Sequence, residues 1–229
     1  MKLLALDTAT ELCSAALWLD GAVRSRESSR THSHSELILP MIEQLLEEAG
    51  VGLAQLDAIA FGRGPGGFTG VRLAAGVAQG LAFAAQLPLL PISDLRALAA
   101  QALLLARDPR CALICQDARM DEVYWGCFEL RGDQLHAVSA EAVAAPGTVA
   151  LPPAWDGLLV AGAGSGFDAY SAQLADVAGQ LSALYPQLRP RAQEIVLLAA
   201  QDGLGCAIPP EQAQPVYLRD DVAQRPSPN

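Results

Sequence analysis

The spacing of apolar and polar positions changes along the first part of the chain. Residues 2–6, 12–19 and 22–28 form three short apolar or alternating runs, and an Asp-Gly pair supplies a tight turn between the last two. The segment from His34 to Ala49 instead has the helical repeat, with glutamates opposite its apolar side chains. That apolar stripe consists of Leu37, Ile38, Met41, Ile42, Leu45, Leu46 and Ala49. The pattern predicts a β-meander followed by an amphipathic helix.

A second predicted helix, residues 68–85, is apolar on every side. It follows a strand over residues 56–61 and a glycine-rich turn, and beyond residue 70 only Arg72 and Gln79 are strongly polar. A helix without a polar face is buried on more than one side. Small residues that would let another backbone approach recur at Gly70, Ala74, Ala78 and Ala82. A membrane span is the alternative, but the run lacks the bulky apolar density of a roughly 20-residue span. We expect this helix to lie between its own sheet and a partner.

The second half of the chain repeats the order of the first. After a predicted helix over residues 94–107, residues 111–139 again give strand, acidic turn, strand, glycine turn and strand. In this alignment Asp117 takes the place of Asp7. Copied meanders followed by helices predict two facing α/β lobes.

The predicted boundary between these lobes is the Asp-Pro-Arg break after the helix. It divides the chain into an N-terminal lobe, residues 1–108, and a C-terminal lobe, residues 109–229. Clefts between such lobes are favoured places for ligands. The proline-containing end from about residue 224 is predicted to be a loose tail.

Composition limits the classes of partner. The 229 residues are 52% apolar, enough for a sizeable core, and 25 acidic against 15 basic side chains give a net charge of −10. Surfaces that bind nucleic acid need clustered Lys and Arg, so direct binding of nucleic acid by this chain alone is disfavoured. The five cysteines have no paired spacing and are expected to be buried thiols. Asp7 interrupts the only early apolar run, so we expect no signal peptide and a cytoplasmic protein.

Two acidic or glycine-rich turns could receive phosphate. Asp7 and Thr8 follow the first strand, where they either satisfy turn amides or lie beside a metal-bound phosphate. With the glycine turns they define a hypothetical vestigial nucleotide site: Asp7, Thr8, Gly64, Gly66, Gly67, Gly162 and Gly164. Neither glycine turn contains the lysine of a P-loop.

A dinucleotide fingerprint is the other interpretation of the first glycine turn. Gly62, Gly64 and Gly67 have its G-x-G-x-x-G spacing, but the turn is not in the first βα unit. Pro65 removes an amide donor, and Asp94 lies too far along the chain to be the ribose-binding acid. This interpretation is therefore disfavoured.

Five segments together carry a resemblance to a known family. They are Leu6-Asp7-Thr8-Ala9-Thr10, His34-Ser35-Glu36 with Leu39-Pro40, the run from Gly62 to Arg72, Asp117-Ala118-Arg119 with Glu122-Val123-Tyr124, and Pro215-Val216-Tyr217-Leu218-Arg219. In combination they resemble the TsaB (YeaZ) family over nearly the whole chain, most specifically from Asp57 to Phe83.

The resemblance implies an actin/hexokinase-like (ASKHA) fold of two similar lobes. It also implies a companion subunit of the TsaD transferase in forming N6-threonylcarbamoyladenosine (t6A37) in tRNA. A TsaE-type ATPase joins that complex and a TsaC-type synthase supplies the activated intermediate. The implied subunit needs no cofactor by itself, with ATP and magnesium only at the assembled complex, touches tRNA only through the complex, and forms a homodimer when alone.

The resemblance further implies which residues pair with TsaD. The family's two paired helices predict a partner interface of Leu37, Ile38, Met41, Ile42, Leu45, Gly70, Leu73, Ala74, Val77, Ala78 and Leu81. TsaD carries a His-x-x-x-His metal pair on the helix after the short strand, whereas residues 91–98 of this chain contain no histidine. A non-catalytic subunit without a metal is therefore expected. The alternative hypothesis is a free-standing ATP-binding enzyme of the same fold.

Overall fold

The computed structural model describes residues 1–29 and 34–219. Two mixed sheets dominate it. The first sheet contains β1 (Lys2–Asp7), β2 (Cys13–Leu19), β3 (Ala22–Ser28), β4 (Ala58–Gly62) and β5 (Leu89–Ile92). The second contains β6 (Cys111–Arg119), β7 (Glu122–Arg131), β8 (Gln134–Ala137), β9 (Ala142–Ala144), β10 (Val160–Ala163) and β11 (Ala183–Tyr185). The helices are α1 (His34–Ala49), α2 (Phe68–Ala85), α3 (Asp94–Ala106), α4 (Gly166–Ala169), α5 (Ala175–Ala178) and α6 (Ala192–Asp202).

The two sheets have the same topology. The first has the order β3-β2-β1-β4-β5 and the second the order β8-β7-β6-β10-β11, with β9 beside β7. In each, three antiparallel strands are extended by two parallel ones. The duplicated meander predicted from the sequence is thus confirmed.

Helices cover the first sheet on both faces. The buried stripes of α1 and α2 pack with β1, β2 and β4 in one apolar cluster. Helix α6 packs against β1, β2 and β4, and one further cluster joins it to α3 and to both sheets. This second cluster, between the sheets, is the main core of the molecule.

Helices α3 and α6 are exchanged with respect to the predicted boundary at residue 108. Helix α3, from the first half of the sequence, packs on β6 and β10 of the second sheet. Helix α6, from the second half, packs on the first sheet. The strands of each sheet therefore come from one side of the predicted boundary. Helices α3 and α6, which lie between the sheets, each pack on the sheet that the other part of the chain forms.

The chain returns to the first lobe after α6. Its backbone exchanges hydrogen bonds of 2.8 Å between Leu89 and Ile208, and the Val216 N–H donates to Arg63 O at 2.7 Å. The Gln79 side-chain amide donates to the carbonyls of residues 210 and 213 at 3.0 and 2.8 Å. We call residues 207–219 the C-terminal strap. The predicted loose tail from about residue 224 lies outside the described residues.

Two remaining expectations concern cysteines and membranes. Four of the five cysteines are buried and reduced, as expected, whereas Cys206 is exposed because it lies in a surface turn after α6. Of the helices in residues 1–29 and 34–219, α2 is the one that is long and apolar enough to cross a bilayer. Its buried side chains are part of the first lobe's core, so it forms a layer of the lobe here.

Candidate functional site

The outward side of α2 carries two exposed phenylalanines and, between them, two glycines in open space. Phe68 and Phe83 are 53% and 80% exposed. Between them, Gly76 and Gly80 have no atom within 4 Å of the position a Cβ would take. A glycine inside a helix costs about 1 kcal/mol relative to alanine, and no contact within the chain requires glycine at either position. We call Arg72, Gly76, Gly80 and Phe83 the outer strip of α2.

Several residues of the predicted partner interface lie on the opposite side, inside the lobe. Ala74 and Ala78 are fully buried, and a Cβ on Gly70 would lie 2.0 Å from the Thr8 carbonyl oxygen. On α1, the three inward residues are Ile38, Ile42 and Leu45, at 0%, 3% and 1% exposure. These six residues belong to the side of each helix that packs within the lobe, because the apolar stripe of each helix covers its own sheet. Their part in a partner interface stays a prediction.

The other predicted interface residues lie at the edges of the two helices. Four of them are partly buried against the apolar cluster that α1 and α2 form with the first sheet: Leu37, Met41, Val77 and Leu81. Leu73 lines the cleft between the lobes. The prediction missed the exposed positions Leu39, Gly76, Gly80 and Phe83. Gly76, Gly80 and Phe83 follow one another at spacings of four and three, so the helical repeat contains the signal for this face.

The cleft between the lobes has a volume of about 1020 Å³. Thr8, Gly66 and Gly67 line it, as the nucleotide hypothesis requires. Two amides of the glycine turn already have acceptors within the chain, since Gly64 N–H donates to Asp94 at 2.5 Å and Gly67 N–H to Ala9 O at 2.8 Å. A phosphate bound by these two amides would have to displace both acceptors.

Four residues of the hypothetical nucleotide site do not reach the cleft wall. Asp7 is fully buried, and Gly64 packs under the Val216 carbonyl. A Cβ on Gly162 would lie 2.4 Å from a Leu181 methyl group, and one on Gly164 would lie 2.4 Å from a backbone carbonyl oxygen. Close packing therefore explains the second glycine turn, and these four residues do not line the cleft with Thr8, Gly66 and Gly67.

The arginines around the cleft are paired with carboxylates. Arg119 lies 3.2 Å from Asp117, and the other two pairs are Arg189 with Glu11 and Arg219 with Glu122. Arg219 also donates to the carbonyls of residues 118 and 119, both at 3.2 Å. The cleft thus has charge of both signs, and its cations hold the strap and the β6–β7 turn together.

Comparison with known proteins identifies the family. The chain is 37% identical to the Escherichia coli tRNA threonylcarbamoyladenosine biosynthesis protein TsaB over 237 aligned positions, which cover 100% of this chain and 99% of the relative. The chain belongs to the TsaB family. A Haemophilus influenzae TsaB is 51% identical over 125 residues, 55% of this chain and 52% of that protein. The solved structure of YeaZ from Pseudomonas aeruginosa superimposes with a TM-score of 0.87 at 44% identity, covering 95% of this chain and 99% of that one.

Two broader matches connect the TsaB family to a larger fold. The family model described as TsaD, tRNA N6-adenosine threonylcarbamoyltransferase, matches residues 26–227. Component A of the (R)-2-hydroxyglutaryl-CoA dehydratase of Acidaminococcus fermentans shares the fold at a TM-score of 0.50 and 10% identity, over 88% of this chain and 98% of that one. The predicted actin/hexokinase-like fold is confirmed.

In the segment where the resemblance places the metal pair of TsaD, residues 91–98, this TsaB-family chain has Asp94, whose buried carboxyl group lies beside that of Asp7. Asp7 at the end of β1 and Asp94 at the start of α3 are both fully buried. Asp7 Oδ1 accepts the Ala9 N–H at 3.0 Å, and Asp94 Oδ2 accepts the Gly64 N–H. A Cβ on Gly62 would lie within 2.4 and 2.5 Å of these two carboxyl groups, so only glycine fits between them.

Each carboxyl group of this pair has one buried oxygen without a partner in the part of the chain that the structure describes. Asp7 Oδ2 and Asp94 Oδ1 have no donor among the described residues, and a proton on Asp94 donated to Asp7 would satisfy both oxygens. Burial raises the pKa of Asp7 to about 6. Burial and the neighbouring Asp7 charge raise the pKa of Asp94 well above its ordinary value. Within residues 1–29 and 34–219, no group of three or more His, Cys, Asp or Glu side chains could hold a metal ion.

Replacing Asp7 by asparagine is expected to flatten the dependence of stability on pH. Because the folded pKa of Asp7 exceeds its unfolded value, its protonated form stabilises the fold fully below about pH 4. That contribution, roughly 3 kcal/mol, is lost as pH rises through about 6. Urea denaturation from acid to mildly alkaline pH measures the difference, and Asp156→Asn at an exposed turn is the control. Equal pH slopes for wild type and Asp7→Asn would contradict the raised pKa of Asp7.

Proposed function

We propose that this chain is a non-catalytic scaffold subunit that binds and activates a TsaD-type transferase, together with a TsaE-type ATPase. Membership in the TsaB family assigns the chain to threonylcarbamoyladenosine biosynthesis. The observation that carries the finer proposal is the outer strip of α2, where two glycines have open space at the Cβ position and Phe83 is 80% exposed. Glycines on an exposed helix face allow the backbone of a second helix to pack closely.

The fold explains why α1 and α2 would meet a TsaD-type partner. The family model of TsaD covers residues 26–227, so the two proteins share an architecture that contains the same helix pair. Pairing of equivalent helices gives a pseudo-symmetric bundle, and a second copy of this chain would use the same face when the transferase is absent. In this proposal the complex assembles in the cytoplasm, and a TsaC-type synthase supplies it with the activated intermediate. The tRNA contacts this subunit only through the complex.

Absence of catalysis is part of the proposal. Residues 91–98, the segment in which the resemblance places a His-x-x-x-His pair, contain no histidine, and the carboxyl group of Asp94 there interacts with Gly64 and Asp7. The cleft arginines are neutralised by carboxylates, which supports a structural use for them. ATP and magnesium would then bind only at the assembled complex.

Reconstitution of tRNA modification tests the role. Purified TsaC-, TsaD- and TsaE-type proteins from the same organism are incubated with threonine, bicarbonate, ATP and unmodified tRNA, with and without this chain. We expect threonylcarbamoyladenosine, measured by mass spectrometry of digested tRNA, to form only when the chain is present. Equal modification in its absence would refute the scaffold role.

A free-standing ATP-binding enzyme is the second candidate, and the 1020 Å³ cleft favours it. Isothermal titration of the isolated chain with ATP and magnesium separates the two. Micromolar binding with turnover would support the enzyme, whereas we expect no binding heat, because the Gly64 and Gly67 amides and the cleft arginines already have partners.

A further inference from the structure

A groove beside the C-terminal half of α1 has apolar walls. It has a volume of about 540 Å³, and its walls include Leu39, Ile42, Leu46, Val51, Leu53 and Leu81. Leu39 at its edge is 48% exposed. The groove therefore presents apolar surface to solvent. It lies next to the outer strip of α2, because Leu81 in its wall directly follows Gly80 of that strip along the helix.

The rim of this groove is negatively charged. Glu43 and Glu47 line it, both are exposed, and neither has an ion-pair partner in the part of the chain that the structure describes. Glu48 differs, because Arg26 pairs with its carboxylate. Helix α1 has no basic residue in its last turn, so the negative end of its dipole adds to the same potential.

No nearby cation of α2 offsets this charge. Arg72 is the one basic residue of α2, and it lies near the opposite end of that helix. Its Nε donates to Tyr217 Oη at 2.6 Å, and its guanidinium lies 3.6 Å from the Phe68 ring centre. The apolar groove and its acidic rim thus form a surface that is complementary to an apolar side chain flanked by cations.

We propose that this groove binds a segment of the partner subunit that presents an apolar side chain next to Lys or Arg. The proposal rests on the scaffold function above and adds what the partner surface must contain. A second copy of this chain would bring two acidic α1 helices together, and like charges at an interface oppose association. The charge on α1 therefore favours the transferase over self-association.

The test measures binding of the full chain to the purified TsaD-type transferase of the same organism, by isothermal titration, between about 50 and about 500 mM salt. We expect wild-type affinity to fall about tenfold over this range. Glu43→Gln/Glu47→Gln is expected to bind about tenfold more weakly at low salt, with a flatter salt dependence. The same variant should self-associate more strongly, measured by sedimentation velocity.

The matched control removes the same charge elsewhere. Asp133→Asn/Asp176→Asn alters two exposed carboxylates of the second lobe and is expected to retain wild-type binding and salt dependence. If Glu43→Gln/Glu47→Gln binds with the affinity and salt slope of wild type, the groove proposal is overturned and the scaffold function stands. If the wild-type chain does not bind the transferase at any salt concentration, both are overturned.

Discussion

Replacing Gly76 and Gly80 together by glutamine is expected to make the isolated chain more stable and to prevent its assembly with the transferase. Both positions are exposed, have open space at the Cβ and have ordinary helical backbone. Glutamine is a better helix former than glycine, so unfolding should require about 1 kcal/mol more in total. Two long polar side chains on the outer strip of α2 would hold a partner helix away, and affinity should fall at least about a hundredfold.

Two measurements separate these effects. Urea denaturation of the isolated variant gives the change in stability, and size exclusion with light scattering gives assembly with the transferase. Gly76→Ala/Gly80→Ala is the matched variant, because it brings the same kind of stabilisation with side chains of one carbon each. A stable glutamine variant that still forms the normal complex would exclude the outer strip as the docking surface.

Replacing Gly70 by alanine is expected to destabilise the chain by about 3 kcal/mol, because an added methyl group would overlap the backbone of the β1 turn. Its Cβ would lie 2.0 Å from the Thr8 carbonyl oxygen, and the Gly70 carbonyl already accepts the Thr8 hydroxyl at 2.6 Å. The first turn of α2 would have to move away from β1. This close contact with Thr8 explains the glycine at position 70, a residue predicted to belong to the partner interface, by packing inside the lobe.

Gly76→Ala is the control for this substitution, since it adds the same methyl group to the same helix in open space. Its stability should rise slightly, so the two alanine variants should differ by about 4 kcal/mol in the free energy of unfolding. Thermal and urea denaturation provide the comparison. Equal stability of the two variants would show that the close contact between Gly70 and Thr8 is not maintained in solution.

The elements of the first lobe could be predicted because their signals are local. The alternation in β2 and β3 and the helical repeat of α1 depend on neighbours within a few residues, and their predicted bounds agree with the structure to about a residue. The repeated acidic turn at Asp117 likewise revealed the second sheet.

The functional faces depended on contacts between distant segments. Composition showed that α2 lacks a polar side, but it does not tell which apolar side meets the sheet, and the structure buries Ala74 and Ala78 there. Gly162 is glycine because the side chains of Leu184, in the neighbouring strand β11, and of Leu181, just before that strand, occupy the space a Cβ would need. The buried carboxyl pair of Asp7 and Asp94 joins residues 87 positions apart, and no local pattern reports such a pair.

The exchange of α3 and α6 has a consequence for biosynthesis on the ribosome. Helix α6 begins about 100 residues after the last strand of the first sheet, which is roughly 5 to 20 s at ordinary elongation rates. During that interval one face of a completed sheet, lined by Leu3, Ala5 and Ala60, has no covering helix. The nascent chain therefore exposes an apolar surface until α6 has been synthesised. A fragment released after residue 108 would keep that surface exposed and would be a substrate for chaperones and proteases.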